Sequence, residues 1–366
     1  MSTLPQVLDG LIGQEHASKF LAAAINQGQP SHAYLFQGPV GVGKHAAALK
    51  FAAALCCEEG GCGVCPSCEK AARGVHPDID VIESVGAFIT VDQVREINRN
   101  LNLRPHESRA RVFIINGAGK FNAESANAFL KSLEEPPAFV FFLLLASRED
   151  HVLPTLVSRC QTVRFGAVPA DDIETFLLKE YGISNTIAQS FARVSRGNLR
   201  LARALCEDNE LVARRGRYLQ IGGNLTRGAW EGGAAQMAAE IMSATQEAGE
   251  AVEEEIVPEG FVVATKKRQE QDAHRRSSAA QRRELILALD FLESWFRDMM
   301  VMASGAGDAV MNRDYELELE DQALASRAGS YRRAVEVIEA TRSKLGYNID
   351  LELALQAMFY QLQEVL

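Results

Sequence analysis

The chain has 366 residues, enough for two or three domains with sizeable hydrophobic cores. Hydrophobic residues make up 47% and charged residues 23%, as in ordinary soluble globular proteins. The net charge of -10 argues against broad, sequence-independent binding to nucleic acid, although it is compatible with a local basic strip. No apolar run approaches the roughly 20 residues that span a bilayer, and the N-terminus lacks the pattern of a signal peptide. We therefore expect a cytoplasmic protein without a membrane partner.

A glycine-rich turn between an apolar strand and a helix is the first motif with chemical content. The spacing Gly38-x4-Gly43-Lys44, with Gly41 inside it, is that of a phosphate-binding loop. Backbone N–H groups of such a loop and the following helix N-terminus bind phosphates, and the lysine reaches the β and γ oxygens. The motif normally continues with Ser or Thr, which helps to bind Mg²⁺, but this chain has His45. The alternative is a turn without a ligand; the strand before, the helix after and the lysine in register favour a nucleotide site.

Five of the seven cysteines lie within the thirteen residues 56–68. The spacing Cys57-x4-Cys62-x2-Cys65-x2-Cys68 suits tetrahedral Zn²⁺, and in a reducing compartment metal explains such a cluster better than disulfides. The first ligand is Cys57 or its neighbour Cys56; we prefer Cys57, because Cys56 belongs to the apolar end of the preceding helix. Four thiolates leave no open coordination position, so the Zn²⁺ would be structural. The alternative is a redox pair or idle thiols.

Apolar strands and helices alternate through the first half of the chain. Helical spacing between the strands, with Thr90 as one predicted N-cap, indicates a parallel α/β sheet that helices cover on both faces. The predicted strands lie at 33–36, 80–83, 112–115, 139–146 and 161–165.

Only helical patterns follow residue 170, with an interruption predicted at the glycine-rich stretch 222–233. Acidic and then basic runs within 245–284 indicate a solvated helix pair or a mobile loop. The predicted organisation is an α/β domain with a small zinc module, a small helical lid and an all-helical C-terminal domain that contains the charged segment. The corresponding boundaries are 1–166 with the zinc module at 56–68, 167–208, and 209–366.

Several motifs follow one another along the chain: Ile12-Gly13-Gln14, SHAYLFQGPVGVGK, the cysteine quartet, HPDID, ANAFLKSLEEPP, LPTLVSRC, GNLR and, near the C-terminus, NIDLELALQAMFYQL. Their order resembles that of the AAA+ clamp loader subunits of bacterial DNA polymerase III. The resemblance implies an AAA+ P-loop domain, a lid and a collar domain in a five-subunit ring that loads a sliding clamp onto primed DNA. It implies tau/gamma and delta subunits as partners, with ATP between neighbouring subunits.

The family's motor subunits, tau/gamma, carry Asp-Glu at the end of the strand that precedes the ANAFLKSLEEPP-like helix. There the Asp helps to position Mg²⁺ and the Glu polarises the attacking water. This chain has Asn116 and Gly117 at those positions, and His45 in place of the Mg²⁺-binding hydroxyl. Loss of the water-activating carboxylate should cost roughly two to four orders of magnitude in rate. The sequence therefore predicts no useful ATP hydrolysis and no good Mg²⁺ site, and leaves open whether ATP or ADP occupies the loop.

Two arginines match functional positions of the family. Arg159, in the SRC motif, stands where an arginine enters the neighbouring subunit's ATP site and stabilises charge on the γ-phosphate. The alternative is an arginine that caps the C-terminus of its own helix. Arg200, in the GNLR motif, stands where a lid arginine contacts the nucleotide in active members. Here it either helps Lys44 to hold a nucleotide or ties the lid to the sheet.

The combined interpretation is a non-hydrolysing clamp loader subunit that supplies an arginine finger to a neighbour. One alternative is an ATP-hydrolysing tau/gamma-type motor subunit, which requires the Asp-Glu pair that residues 116–117 do not supply. The other is an unrelated AAA+ regulator, against which the zinc insertion and the SRC motif count.

Overall fold

The computed structural model describes residues 5–84, 88–147, 152–229, 233–254, 266–345 and 349–366. The chain forms two compact units, Met1–Phe176 with Arg196–Leu201, and Leu177–Ser195 with Ala202–Leu366. Part of the charged segment, residues 255–265, lies outside the described residues. Among the helices that the structure describes, none combines the length and the apolar character needed to cross a membrane.

The first unit is organised around a five-stranded parallel sheet with the order β2-β3-β4-β1-β5. Every residue of β4 is buried, as expected for a parallel strand covered on both faces. The parallel α/β sheet predicted from the sequence is therefore confirmed. The strands are β1 Ala33–Gln37, β2 Ile79–Ile82, β3 Arg111–Asn116, β4 Val140–Ala146 and β5 Gln161–Arg164.

Two helices of the first unit, α4 and α5, start where side chains satisfy their free N–H groups. Thr90 Oγ1 accepts from Gln93 N at 3.3 Å, and Gln93 Oε1 accepts from Thr90 N at 3.0 Å, a capping box at the start of α4. Asn122 caps α5 in the same way. The helices are α1 Glu15–Asn26, α2 Lys44–Cys56, α3 Pro66–Ala72, α4 Val91–Asn100, α5 Ala123–Glu134, α6 Pro154–Val157 and the first part of α7 Ala170–Tyr181.

Aromatic rings join α5 to the middle of the sheet. Phe142 on β4 stacks on Phe113 of β3 with ring centroids 5.6 Å apart, and meets Phe129 of α5 edge-on at 5.0 Å. All three side chains are buried. This contact fixes α5, and therefore its C-terminal residue Glu134, relative to the strands.

The described part of the second unit is helical, which confirms the predicted helical C-terminal part. Its long helix α12 packs against α10, α11 and α14, and α15 packs against α11 and α14. The helices are the end of α7, then α8 Asn185–Val194, all but the first three residues of α9 Leu199–Glu207, α10 Asn209–Thr226, α11 Gly233–Glu254, α12 Lys266–Ala303, α13 Glu316–Gln322, α14 Ala328–Lys344 and α15 Leu351–Val365.

The interruption predicted at 222–233 is shorter than expected, because α10 continues through Gly222 and Gly223 to Thr226. The indole of Trp295 lies directly against this helix, and a Cβ at position 222 would come within 2.7 Å of it. Tertiary packing thus outweighs the low helix propensity of glycine. The charged stretch is helical on both sides of the residues that are not described.

A polar cluster is enclosed within the second unit. Arg215 on α10 is only 1% exposed and donates hydrogen bonds to Asp314 at 2.6 and 2.8 Å, to Asn312 at 2.7 Å and to Ser190 of α8 at 3.1 Å. Burial would raise the pKa of Asp314, but the hydrogen bonds and charge of Arg215 outweigh it and hold this pKa below its ordinary value. The cluster therefore fastens α8 and α10 to the segment around Asn312.

We expect Arg215→Met to lower the free energy of unfolding by about 3–5 kcal/mol, because it leaves the partly buried carboxylate of Asp314 without its cation. Arg217→Met, at an exposed position of the same helix, is the matched control and should stay within about 0.5 kcal/mol of wild type. Since the pKa of Asp314 is depressed in the folded state, its stabilisation is present above about pH 4 and is lost as the pH falls through the folded pKa. Urea unfolding of both variants at neutral and acidic pH measures this; equal midpoints at neutral pH would contradict the ion pair's role.

Candidate nucleotide and metal sites

The glycine-rich loop joins the carboxyl end of β1 to the N-terminus of α2. Gly41, with φ +78°, and Gly43, with φ +97°, adopt left-handed backbone conformations that side chains disfavour. Gly38 lies so close to the backbone of Phe165 that a Cβ would come within 2.3 Å of its carbonyl oxygen. The loop therefore needs glycine at each of these positions, and it leads into a helix N-terminus, where anions bind favourably.

Lys44 folds back over this loop. Its Nζ donates hydrogen bonds to the carbonyl oxygens of Gly38 at 2.7 Å and of Pro39 at 2.6 Å. The ammonium group is thus kept beside the loop, where it is placed to pair with a bound phosphate.

The three substituted positions of the predicted Mg²⁺ site lie at the same edge of the sheet. His45 Nδ1 is 3.4 Å from Asn116 Oδ1, and Asn116 Nδ2 donates to the carboxylate of Glu83. An amide oxygen only accepts hydrogen bonds, so His45 provides its N–H at Nδ1 in this contact. Gly117 follows with a left-handed φ of 80°. Positions 45 and 116 therefore carry a hydrogen-bonded histidine–amide pair in place of the hydroxyl and the carboxylate of the motif, and the carboxylate beside this pair belongs to Glu83.

A turn that is distant in the sequence closes one side of the loop. The Oδ1 atom of Asn198 lies 1.7 Å from the place where a Cβ of Gly41 would be, and it also accepts from the N–H of Leu201 at 3.0 Å. The backbone N–H of Arg200 donates to the carbonyl oxygen of Gly41 at 3.1 Å. The side chain of Arg200 is exposed. The link from GNLR to the loop is thus formed by Asn198 and by backbone, which the sequence did not predict.

Gln14 holds the loop from another side. This residue is only 5% exposed, and its amide donates to the carbonyl oxygens of Gly166 at 2.8 Å and of Val42 at 3.4 Å. Its Oε1 accepts from Gly166 N at 3.2 Å. Gln14 therefore ties the loop to the chain that leaves β5. The sequence marked Gln14 only as part of a family motif, because its partner lies 152 residues away.

Four cysteines come together where α2 ends and α3 begins. The sulfur atoms of Cys57, Cys62, Cys65 and Cys68 all lie within 4.8 Å of one another. Cys57 Sγ is 3.7 Å from the sulfur atoms of both Cys62 and Cys65. Four sulfurs around one tetrahedral zinc at 2.3 Å lie about 3.8 Å apart. The cluster therefore has the size and the donor set to hold a metal ion.

Cys57 and its neighbour Cys56 differ in the pKa of their thiols and in their contacts. Burial would raise the pKa of Cys57, but hydrogen bonds from the backbone of residues 59, 61 and 62 lower it to about 7, which favours the thiolate that binds metal. Cys56 is only 1% exposed, and its Sγ donates towards the carbonyl oxygen of Ala110 at 3.5 Å. Burial raises the pKa of Cys56 to about 12. Cys56 therefore lies outside the sulfur cluster as a buried thiol.

Arg159 lies just after α6, and its guanidinium is bound within the chain. Its Nη1 donates to the carbonyl oxygen of Thr155 at 3.1 Å and to Ser158 Oγ at 3.3 Å. Its Nε donates to Glu134 Oε1 at 2.8 Å, and its Nη2 donates to the same oxygen. The Thr155 contact is the helix C-terminal contact considered as the alternative role of Arg159. Action in a neighbouring subunit's site stays a prediction.

The fold and the loop together resemble one class of protein. A parallel α/β sheet with a Gly-x4-Gly-Lys loop between its strand β1 and the following helix is the arrangement of P-loop nucleotide-binding proteins.

Comparison with known proteins identifies the relatives within that class. The family model described as "DNA polymerase III, delta subunit" matches residues 13–169. The delta′ subunit of DNA polymerase III from Bacillus subtilis is 25% identical over 96% of this chain and 96% of its own length. The delta′ subunit from Pseudomonas aeruginosa is 41% identical over 36% of this chain and 42% of its own. The chain thus resembles delta′ subunits of DNA polymerase III, which confirms the resemblance inferred from its motifs.

The gamma/tau relatives match a smaller part of the chain. The gamma/tau subunit from Mycobacterium bovis is 36% identical over 46% of this chain, and the match spans 30% of that relative's length. The similarity to gamma/tau subunits is therefore limited to part of each chain, whereas the Bacillus subtilis delta′ subunit is similar from end to end.

We expect Gly41→Ala to destabilise the protein more than Gly10→Ala. Both glycines have nearly the same left-handed φ, +78° and +75°, but a Cβ at position 10 meets nothing within 4 Å, whereas one at position 41 collides with Asn198. The shared backbone cost is about 1–2 kcal/mol, and the collision adds to it only at position 41. Urea unfolding compares the two variants, and the double variant Gly41→Ala/Asn198→Ala should be less destabilised than the sum of its parts. Equal losses for both glycine variants would show that Asn198 does not close the loop.

Proposed function

We propose that the chain acts as a non-hydrolysing, delta′-type clamp loader subunit of DNA polymerase III. In this role it joins tau/gamma and delta subunits in a cytoplasmic AAA+ ring that loads the sliding clamp onto primed DNA. The observation that carries the proposal is a phosphate loop with Lys44 in place, beside a histidine–amide pair where Mg²⁺ ligands would be needed. The end-to-end similarity to a delta′ subunit supports it over the tau/gamma-type alternative.

The subunit's own nucleotide site would bind phosphate without supporting hydrolysis. The backbone of Gly38, Gly41 and Gly43, with Lys44, would hold the phosphates of ATP or ADP. Neither His45 nor Asn116 brings a negative charge to Mg²⁺, and Gly117 brings no side chain to activate water. Arg200 is exposed near this loop and has the reach of a long side chain, so it would supply a further cation to the nucleotide.

The contribution to hydrolysis would come from Arg159, acting in trans. In the assembled ring its guanidinium would enter the ATP site of a neighbouring subunit and stabilise the charge that develops on the γ-phosphate. Its position in the SRC motif and its partial exposure of 33% support this role. The reaction would be the neighbour's, and this chain would contribute one cation to it.

The remaining parts of the chain would serve assembly. We assign residues 1–166 to the AAA+ α/β domain, 167–208 to the lid and 209–366 to the collar, with the charged segment 245–284 inside the collar. Cys57, Cys62, Cys65 and Cys68 would bind one structural Zn²⁺, which joins the ends of α2 and α3 and has no open position for catalysis.

The isolated chain should show no ATP turnover above the buffer control, because three groups needed for metal-assisted phosphoryl transfer are replaced. A steady-state phosphate-release assay with ATP and Mg²⁺ measures this. Sustained turnover that disappears in Lys44→Ala would show that the chain's own site is active, and would favour a motor-type subunit.

In a loader reconstituted with its tau/gamma and delta subunits, Arg159→Ala should leave assembly intact and lower the DNA-dependent ATPase. The loader should lose nearly all of the ATP turnover at the one site that Arg159 enters. An arginine finger is worth about 10³–10⁵ in kcat at the site into which it reaches. Arg164→Ala, an exposed arginine on β5, is the control and should have no effect. An unchanged rate with Arg159→Ala would remove the finger role.

The purified chain should contain about one zinc per molecule, as the four sulfur ligands imply. Cys62→Ser should release the metal and destabilise the segment between Cys57 and Cys68, whereas Cys206→Ser, outside the cluster, should keep both. Elemental analysis and thermal unfolding measure the two effects. A metal-free wild type with normal folding would contradict the zinc assignment.

A further inference from the structure

Among the described residues, Glu134 makes the closest side-chain contact with Arg159. It is the last residue of α5, and one of its carboxylate oxygens accepts from both Nε and Nη2 of Arg159. The two residues are 25 positions apart, so this contact depends on how α5 and α6 pack against the sheet.

The contacts of Arg159 hold its guanidinium in one orientation. The group has five N–H donors, and four of them have partners in the described part of the chain: Glu134 twice, Thr155 and Ser158. Glu134 accepts from Nε and Nη2 of the guanidinium, while Thr155 and Ser158 accept from Nη1. Only Glu134 among these partners lies on another helix, so it alone sets the direction of the guanidinium relative to α5.

An arginine that stabilises a transition state acts best when it is already oriented. The side chain is long and flexible, and fixing it at the moment of reaction costs conformational entropy that a preformed contact removes in advance. A charge-assisted, two-point contact to a carboxylate on a packed helix provides such orientation.

We propose that Glu134 is a positioning residue for Arg159, an inference that rests on the proposed action of Arg159 in a neighbour's site. Glu134 does not touch the nucleotide. It holds the guanidinium so that the arginine enters the neighbouring site with its orientation already set.

Glu135 offers a matched control. It is the next residue along the chain, it is exposed, and its side chain makes no hydrogen bond or ion pair with any residue that the structure describes. Glu134→Ala and Glu135→Ala therefore remove the same charge at adjacent positions, and only the first removes the contact with Arg159.

The first measurement uses the full isolated chain and reads the contact itself. Phenylglyoxal modifies exposed arginines, and mass spectrometry gives the modification rate at Arg159. Loss of a two-point contact should raise this rate about threefold or more in Glu134→Ala, and leave it unchanged in Glu135→Ala. Equal rates in the two variants would overturn the proposal, because the contact would not restrain Arg159 in solution.

The second measurement uses the reconstituted loader with DNA and clamp. Glu134→Ala should lower kcat for ATP by about three- to tenfold and change KM by less than about twofold, because orientation of the finger matters only in the transition state. Glu135→Ala should match wild type. Glu134→Gln, which keeps an acceptor for Nε, should lie between wild type and Glu134→Ala.

Combination with Arg159→Ala separates a positioning role from a structural one. If Glu134 acts through the arginine, Glu134→Ala has no further effect on kcat in the Arg159→Ala background. The same loss in both backgrounds would overturn the proposal and indicate a structural effect. If Arg159→Ala lowers kcat and Glu134→Ala does not, the finger role stands and the positioning role is wrong. If Arg159→Ala itself changes nothing, the finger role fails, and the positioning role fails with it.

Discussion

The parallel register of the central strands decides which side chains meet at the nucleotide site. Asn116 at the end of β3 pairs with Leu145 of β4, and Leu145 pairs with Phe36 of β1. The ends of β3 and β1 therefore lie at one edge of the sheet, although they are 80 positions apart in the chain. Because α2 starts at that edge, His45 is brought to Asn116, and the chemistry of the site follows from what these two positions carry.

An active ATPase both binds ATP and hydrolyses it, and these two functions depend on different residues at this edge of the sheet. Under the proposed function, the glycines and Lys44 would bind an anion, which depends on backbone N–H groups, a helix N-terminus and one cation. Hydrolysis additionally requires a metal ion and an activated water, and His45, Asn116 and Gly117 are not the residues that would supply them in the motor subunits. Under the proposed function the chain would contribute to turnover only through a group that reaches another subunit's site, and we propose Arg159 as that group.

Sequence alone predicted the features that depend on local patterns. The strands follow from apolar runs, the start of α4 from Thr90, and the sulfur cluster from the spacing of its cysteines, since two CxxC steps bring their ligands together within one short segment. The contacts of Gln14, Asn198 and Glu134 could not be predicted, because each joins residues that only tertiary packing brings together. The continuation of α10 through its glycines has the same origin, since Trp295 comes from a different helix.

In the proposed role, this chain serves ATP hydrolysis through Arg159 and not through its own phosphate loop. A sharp test is the DNA-dependent ATPase of a reconstituted loader in which this chain carries Lys44→Ala. We expect the rate of the wild-type loader, because the loop would not be a site of turnover. A fall in rate, in a loader that has assembled normally, would contradict this expectation and would show that the chain's own nucleotide site takes part in the cycle.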